Sequence, residues 1–184
     1  MNNILEKIRE FADEAHGEQK RKYSGERYIV HPVRVMGTCR EYTLNQTILA
    51  AALLHDVLED TKVSKLKMNQ FLVTLMTQED AAQVLKLVSA LTDVYTKEKF
   101  PLLNRKHRRS KEMERLQSIP GDAQTIKYAD IIDNTMDITQ NDPDFATVYL
   151  RECMNILQKM TNGDPELYKR ALQTVKGNMQ KLNI

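Results

Sequence analysis

Seven consecutive residues, Ile48-Leu49-Ala50-Ala51-Ala52-Leu53-Leu54, carry no polar side chain, and the run ends directly on His55-Asp56. Neither Gly nor Pro interrupts the stretch from Gln46 to Glu59, so the pattern predicts a helix over 46–59. A helix that is apolar all round has no face to give to water and must be covered on most sides. The rest of the chain therefore has to supply its neighbours.

It supplies amphipathic helices. Residues 2–16 place Ile4, Leu5, Ile8, Phe11, Ala12 and Ala15 on one stripe at the 3.6-residue period. Residues 17–30 are polar, contain Gly17 and Gly25, and read as a loop. Pro32 suits the first turn of a second helix, where its missing N–H costs nothing, and this puts His31 at the cap. Further helices are expected at 64–76, 79–92, 102–117, 122–140, 143–161 and 165–181. Asp142-Pro143 and Asp164-Pro165 are start signals, with Asp as cap and Pro at the first helical position, and Gly163 is read as a helix stop. No run alternates with period two, and no repeat or low-complexity segment is evident. The expectation is an all-α helical bundle with short connections, one domain over residues 1–184.

Composition narrows the function classes. The apolar share is 41% and the charged share 28%, ordinary for a globular protein. No apolar run approaches the roughly 20 residues that span a bilayer. The N-terminus lacks the basic start, apolar middle and small-residue cleavage site of a secretory signal. Cys39 and Cys153 form no Cys-x-x-Cys unit. A cytoplasmic protein without a membrane partner is expected. The net charge of +2 argues against a general polycation that coats nucleic acid. The basic residues are nonetheless clumped, at Lys20-Arg21-Lys22 and across Lys97, Lys99, Arg105, Lys106, Arg108, Arg109 and Lys111. The second clump is either a solvated helix face or a rim facing polyphosphate.

The chemistry concentrates at His55, Asp56, Glu59 and Asp60. Spacings of three and four bring these side chains together on a helix surface, opposite Leu53, Leu54, Val57 and Leu58. Three carboxylates near a helix C-terminus repel one another and the dipole unless a cation or shared proton relieves them. The plain alternative is an acidic, solvated helix end. It weakens because two matching groups lie elsewhere: His31 at a helix entry, and Asp130 within the mostly apolar Ile126–Asn134 stretch. A carboxylate on a buried face is costly unless it is paired or binds a metal. Two imidazoles and two carboxylates suit a first-row divalent ion, which generates a nucleophile from water and neutralises phosphate charge. His16 and His107 lack such settings and read as surface or packing residues.

His31-Pro32, His55-Asp56-x-x-Glu59-Asp60-Thr61 and Ala129-Asp130-x-x-x-Asn134 together resemble the signatures of the HD-domain phosphohydrolases. More narrowly, the chain from His16 to Tyr149 is similar to the small alarmone hydrolases and to the hydrolase domain of bifunctional alarmone enzymes. His16-x-x-Gln19-x-Arg21-Lys22, Ser24-Gly25-Glu26-x-Tyr28 and Leu91-Thr92-Asp93 carry that narrower likeness. The resemblance implies one Mn2+, or another first-row divalent metal, on His31, His55, Asp56 and Asp130. It implies Glu59 and Asp60 as the residues that orient water and move protons, without dividing base from acid. It implies substrate contacts at Arg21, Lys22, Tyr28, Asn134 and Tyr149, and at Lys97 or Lys99. The implied reaction is hydrolysis of the 3′-pyrophosphate of guanosine tetra- or pentaphosphate. The chain departs from the family pattern at Arg27, where proline is usual, at Ile131, where Arg or Lys is usual, and at Asp133, where His or Tyr is common.

Phosphate-binding Gly-x-x-x-x-Gly-Lys-Ser/Thr and Gly-x-Gly-x-x-Gly turns are absent. At 184 residues the chain is not expected to hold a synthetase domain beside the hydrolase. Three readings remain: a (p)ppGpp 3′-pyrophosphohydrolase, an HD hydrolase for another nucleotide such as a deoxynucleotide, and a non-catalytic nucleotide- or RNA-binding HD module. RNA binding fits least well, because Trp is absent and aromatics for base stacking are few.

Overall fold

The computed structural model describes residues 3–184. Its helices are α1 (Asn3–His16), α2 (Val30–Arg40), α3 (Gln46–Leu54), α4 (Val57–Asp60), α5 (Lys65–Leu72), α6 (Gln78–Leu91), α7 (Arg105–Leu116), α8 (Gly121–Asn141), α9 (Pro143–Leu157) and α10 (Pro165–Lys181). Among the described residues there is no strand, only an isolated bridge between Lys20 and Arg27. No described helix is long and apolar enough to cross a membrane. Met1 and Asn2, at the start of the first expected helix, lie outside the described residues.

Helix α3 occupies the middle of the bundle, as its composition demands. Ala50 through Leu54 are fully buried, and α3 packs against α1, α2, α6 and α8. Helix α8 is the second organising element, in contact with α2, α3, α6, α9 and α10. At 1.5 Å per residue it is about 30 Å long, enough to run the length of a small domain. The side chains of Asn45, Ser64, Thr77, Asn104, Asp142 and Asp164 accept N–H groups of the first turns of α3, α5, α6, α7, α9 and α10. Asp142 and Asp164 are followed by Pro at the first helical position, as the sequence predicted.

Three expectations are corrected. The helix predicted over 46–59 stops at Leu54 and resumes as the single turn α4. His55 turns its ring back, with Nδ1 2.8 Å from the Ala52 carbonyl oxygen, and Asp56 sits at φ −94°, ψ −10°, off the helical minimum. Apolar periodicity could not reveal this break, because the side chain that makes it is also a candidate ligand. His31 lies inside the first turn of α2, with Ile29 rather than His31 at the cap. Gly163 does not cap the preceding helix, which ends at Leu157. A Cβ at Gly163 would stand 2.5 Å from the Tyr128 ring and 2.8 Å from the Thr125 nitrogen, so the position needs glycine for close packing against α8.

Candidate metal centre

Helices α2 and α8 and the turn between α3 and α4 deliver His31, His55, Asp56 and Asp130 to one point. His31 Nε2 lies 3.2 Å from Asp130 Oδ1 and 3.5 Å from Asp56 Oδ2. His55 Nε2 lies 3.1 Å from Asp56 Oδ2 and 3.8 Å from Asp130 Oδ1. The two rings are 5.2 Å apart at 64°. The nitrogen and oxygen donors of His31, His55 and Asp56 lie within 4.8 Å of one another.

Each imidazole has its outer nitrogen occupied. His31 Nδ1 is 2.6 Å from Asp133 Oδ2, and His55 Nδ1 bonds the Ala52 carbonyl. Both Nε2 atoms therefore face inward, the arrangement that second partners impose on metal-binding histidines. His55 Nε2 is buried and makes no hydrogen bond within the protein. Burial opposes positive charge on His55, yet Asp56 and Asp130 outweigh it and push its pKa up to about 10. His31 is raised as well, with burial opposed by Asp130 and Asp133. In return, burial works against the Asp56 and Asp130 charges, while the histidines, and Lys127 for Asp130, hold both carboxyls well below their usual range. The cluster thus favours a cation at its centre. Its donors are the imidazole and carboxylate groups that first-row divalent ions accept, so these residues fit a metal.

Around this point a cavity of about 230 Å3 is lined by Tyr28, His55, Asp56, Glu59, Asp60, Asp93, Arg109, Lys127, Asp130 and Asn134 among others. The turn at His55-Asp56 is what lets Glu59 and Asp60 reach it. Solvent enters at Glu59, yet the cavity walls and the Asp93 charge raise its carboxyl to about 7. The Asp93 carboxyl is itself raised, first by burial. Tyr28 donates to Asp56 Oδ2 at 2.8 Å, and burial with the Asp56 charge keeps its phenol protonated. His16 stacks on the far side of Tyr28, centroids 4.5 Å apart. Asn134 Nδ2 donates to Asp130 Oδ1 at 2.6 Å.

Next to it, sharing Asp93, Arg109 and Asn134, is a cavity of about 500 Å3 lined also by Tyr95, Thr96, Arg105, Arg108, Phe145, Tyr149 and Glu152. Glu152 bridges Arg105 at 2.6 Å and Arg109 at 3.3 Å. The loop that forms one wall is held from inside the protein: the buried Glu112 accepts the N–H groups of Val94 and Tyr95 at 3.0 Å each.

The sequence-predicted substrate residues divide. Tyr28 and Asn134 line the smaller cavity, and Asn134 and Tyr149 the larger. Lys22 is exposed beside Tyr23 and Asp142, its Nζ 5.7 Å from the centroid of the Phe145 ring, near the larger cavity but not in its wall. Lys97 and Lys99 are exposed and line neither cavity. Arg21 lines neither; it is buried behind the site against Asn134 and Asp137. Sequence reasoning missed Lys127, whose Nζ is 2.7 Å from Asp130 Oδ2, and Asp133. Both stand three residues from Asp130, a spacing that brings side chains together on a helix and was the available signal.

The chain belongs to the HD domain family, which it matches over residues 9–164. Among curated proteins, it is 51% identical over 57 residues to the guanosine-3′,5′-bis(diphosphate) 3′-pyrophosphohydrolase of Aquifex aeolicus (strain VF5), covering 31% of this chain and 8% of that protein. It is 29% identical over 144 residues to the probable enzyme of the same name from Mycoplasma pneumoniae (strain ATCC 29342 / M129 / Subtype 1), covering 73% of this chain and 18% of that protein. The chain thus spans less than a fifth of the length of these relatives. A solved structure described as a metazoan ortholog of SpoT that hydrolyzes ppGpp superposes with a TM-score of 0.78 at 21% identity, over 98% of this chain and 96% of that one. The two chains share one fold almost end to end.

Proposed function

We propose that this chain hydrolyses the 3′-pyrophosphate of guanosine tetra- or pentaphosphate, giving GDP or GTP and pyrophosphate, with Mn2+ held by His31, His55, Asp56 and Asp130. Residues 1–184 would act as one HD hydrolase unit. The observation that carries this reading is the pairing of cavities. A small acidic cavity at the four-donor cluster opens beside a larger one with three arginines and three aromatics. That pairing suits a substrate with one phosphate group to be cleaved and another to be held. The names of the Aquifex and Mycoplasma relatives, and the description of the metazoan structural neighbour, agree with a guanosine 3′-pyrophosphate as that substrate.

A divalent cation at the cluster supplies Lewis acidity and lowers the pKa of water. The remaining steps belong to the chain's own residues. Glu59, poised at about 7, takes a proton from the attacking water, and Asp60 beside it orients that water. The water oxygen joins the 3′-phosphorus, the bond from that phosphorus to the ribose 3′-oxygen breaks, and the 3′-oxygen leaves with the proton that Glu59 took from the water. Lys127 meets the charge that grows on the phosphoryl oxygens. Arg109 spans both compartments, Arg105 and Arg108 face the 5′-phosphates, and Tyr149 with Phe145 borders the base. Lys22, Lys97 and Lys99 act at longer range, raising the local concentration of a polyanion.

The deciding experiment is incubation with Mn2+ and a panel of phosphorylated nucleotides, read by product analysis. One pyrophosphate released per ppGpp supports the proposal. Turnover of deoxynucleotides but not ppGpp would replace it with another HD hydrolase. Absence of any turnover, with RNA binding that falls steeply with salt, would replace it with a binding module.

A further inference from the structure

We propose that Arg21 is a positioning residue of the cation site, fixing His31 through Asp133 and Asp130 through Asn134, rather than a contact to the substrate. This rests on the cation reading above and goes beyond it.

Helix α8 carries Asp130, Asp133, Asn134 and Asp137 at spacings of three, four and seven, so they form one stripe. Three of the four are carboxylates, which repel one another when brought together. Arg21 answers them from the 17–29 segment. Its backbone is locked there: the Arg21 N–H donates to the Glu26 carbonyl at 2.9 Å, and Gly25, at φ +69°, donates back to the Arg21 carbonyl at 3.3 Å. A left-handed residue closes this turn, which is why glycine stands there. The guanidinium is 9% exposed, and its Nη2 lies 2.8 Å from Asp137 Oδ2, 2.9 Å from Asn134 Oδ1 and 3.9 Å from Asp133 Oδ2.

Two arms lead from Arg21 to the donors. In the first, Asn134 Oδ1 accepts from Arg21, so its amide nitrogen must face the other way and donate to Asp130 Oδ1. A flipped amide would set oxygen against carboxylate and NH2 against guanidinium, so the guanidinium selects the orientation that steadies Asp130. In the second, Asp133 accepts from His31 Nδ1 at 2.6 Å. That bond leaves Nε2 as the nitrogen turned toward the cation site and, being to a carboxylate, makes the ring a stronger donor. The two imidazoles are therefore not equivalent. His55 is steadied by the Ala52 carbonyl of the helix it ends, while His31 depends on a carboxylate whose charge faces the Arg21 guanidinium at 3.9 Å, without a hydrogen bond between them.

The test is Mn2+ affinity of the substrate-free protein, titrated by electron paramagnetic resonance. It is run on the unaltered protein, Arg21→Lys, Asp133→Asn and the double variant, with circular dichroism as a check on folding. Asp133→Asn keeps an acceptor for His31 and removes only the charge. Each single variant is expected to weaken Mn2+ binding about 10- to 100-fold. The double variant should be weaker by less than the product of the two, because Asp133 lies on one of the two arms that Arg21 supports. With Mn2+ saturating, KM for ppGpp should stay unchanged. Unaltered Mn2+ affinity with a raised KM in Arg21→Lys would make Arg21 a substrate contact and overturn the proposal. Unaltered affinity in a folded Asp133→Asn would overturn it as well, and decides the matter if Arg21→Lys fails to fold. Failure of the unaltered protein to bind Mn2+ would instead remove the proposed function and this inference together.

Discussion

Glu59 Oε2 accepts the backbone N–H of Asp93 at 2.8 Å, joining α4 to the loop after α6 at the mouth of the smaller cavity. This contact orients the carboxylate, while the cavity walls and the Asp93 side chain lift its pKa to about 7. A base is inactive when protonated, so pyrophosphate release should climb with pH along the Glu59 titration, on a limb that a cation at the cluster draws below 7. Glu59→Gln should lose roughly 10²- to 10⁴-fold in kcat and the limb with it. Asp93→Asn removes a like charge and should move the limb to lower pH. The same shift has a stability consequence. The folded-state pKa exceeds the unfolded value, so the Glu59 proton contributes stability that is complete below about 4.3 and gone once pH passes about 7. A pH profile that rises identically in Glu59→Gln contradicts the assignment.

Under the proposed function, Lys127 and the cation would share Asp130 without competing for one oxygen. Lys127 holds Oδ2, while Oδ1 is the atom nearest both imidazoles. Lys127→Met should lower kcat by about 10²-fold, the scale for losing one preorganised charge at a transition state, and should not weaken Mn2+ binding. Stopped-time assays and a Mn2+ titration separate the two effects. Weaker Mn2+ binding with unaltered turnover at saturating Mn2+ would make Lys127 a support for Asp130 alone.

Arg109 is the arginine common to both cavities, tied to Asp93 at 3.7 Å and to Glu152 at 3.3 Å. A hydrogen bond to a charged group contributes about 1.5–3 kcal/mol, so Arg109→Ala should raise KM for ppGpp at least tenfold. Steady-state kinetics checks this. Unaltered KM would remove the larger cavity from substrate recognition.

Two glycines give opposite expectations for stability. Gly163→Ala forces a Cβ into the Tyr128 ring and the Thr125 backbone and should cost about 1–3 kcal/mol. Gly177, inside α10, has open space where a Cβ would go, and Gly177→Ala should stabilise by about 1 kcal/mol. Urea unfolding with a constant m-value reads both. Equal effects would contradict the close packing described for Gly163 against α8.

The helices, and the four side chains that meet at the cluster, were legible in the sequence because each has a local cause. Apolar period, an Asp-Pro start, or a carboxylate stranded in a buried stretch can be seen without knowing the fold. The all-α bundle follows from them. What stayed hidden depends on orientation. The break at His55 is made by a side chain turning back on its own helix, which leaves the apolar pattern intact. Lys127 and Asp133 gain meaning only once Asp130 is known to face inward. Within the basic clump, Arg105, Arg108 and Arg109 line a cavity while Lys97 and Lys99 point to solvent, and composition treats all five alike. Arg21 is the sharpest case: its type suggests a phosphate contact, and its burial against Asp137 and Asn134 directs it to the back of the site.

The most direct test of the account is anomalous diffraction at the manganese edge from crystals grown with Mn2+. The expected result is one peak bounded by His31 Nε2, His55 Nε2 and the carboxylates of Asp56 and Asp130. A well-ordered structure in which those four side chains surround no peak, at saturating Mn2+, would contradict it.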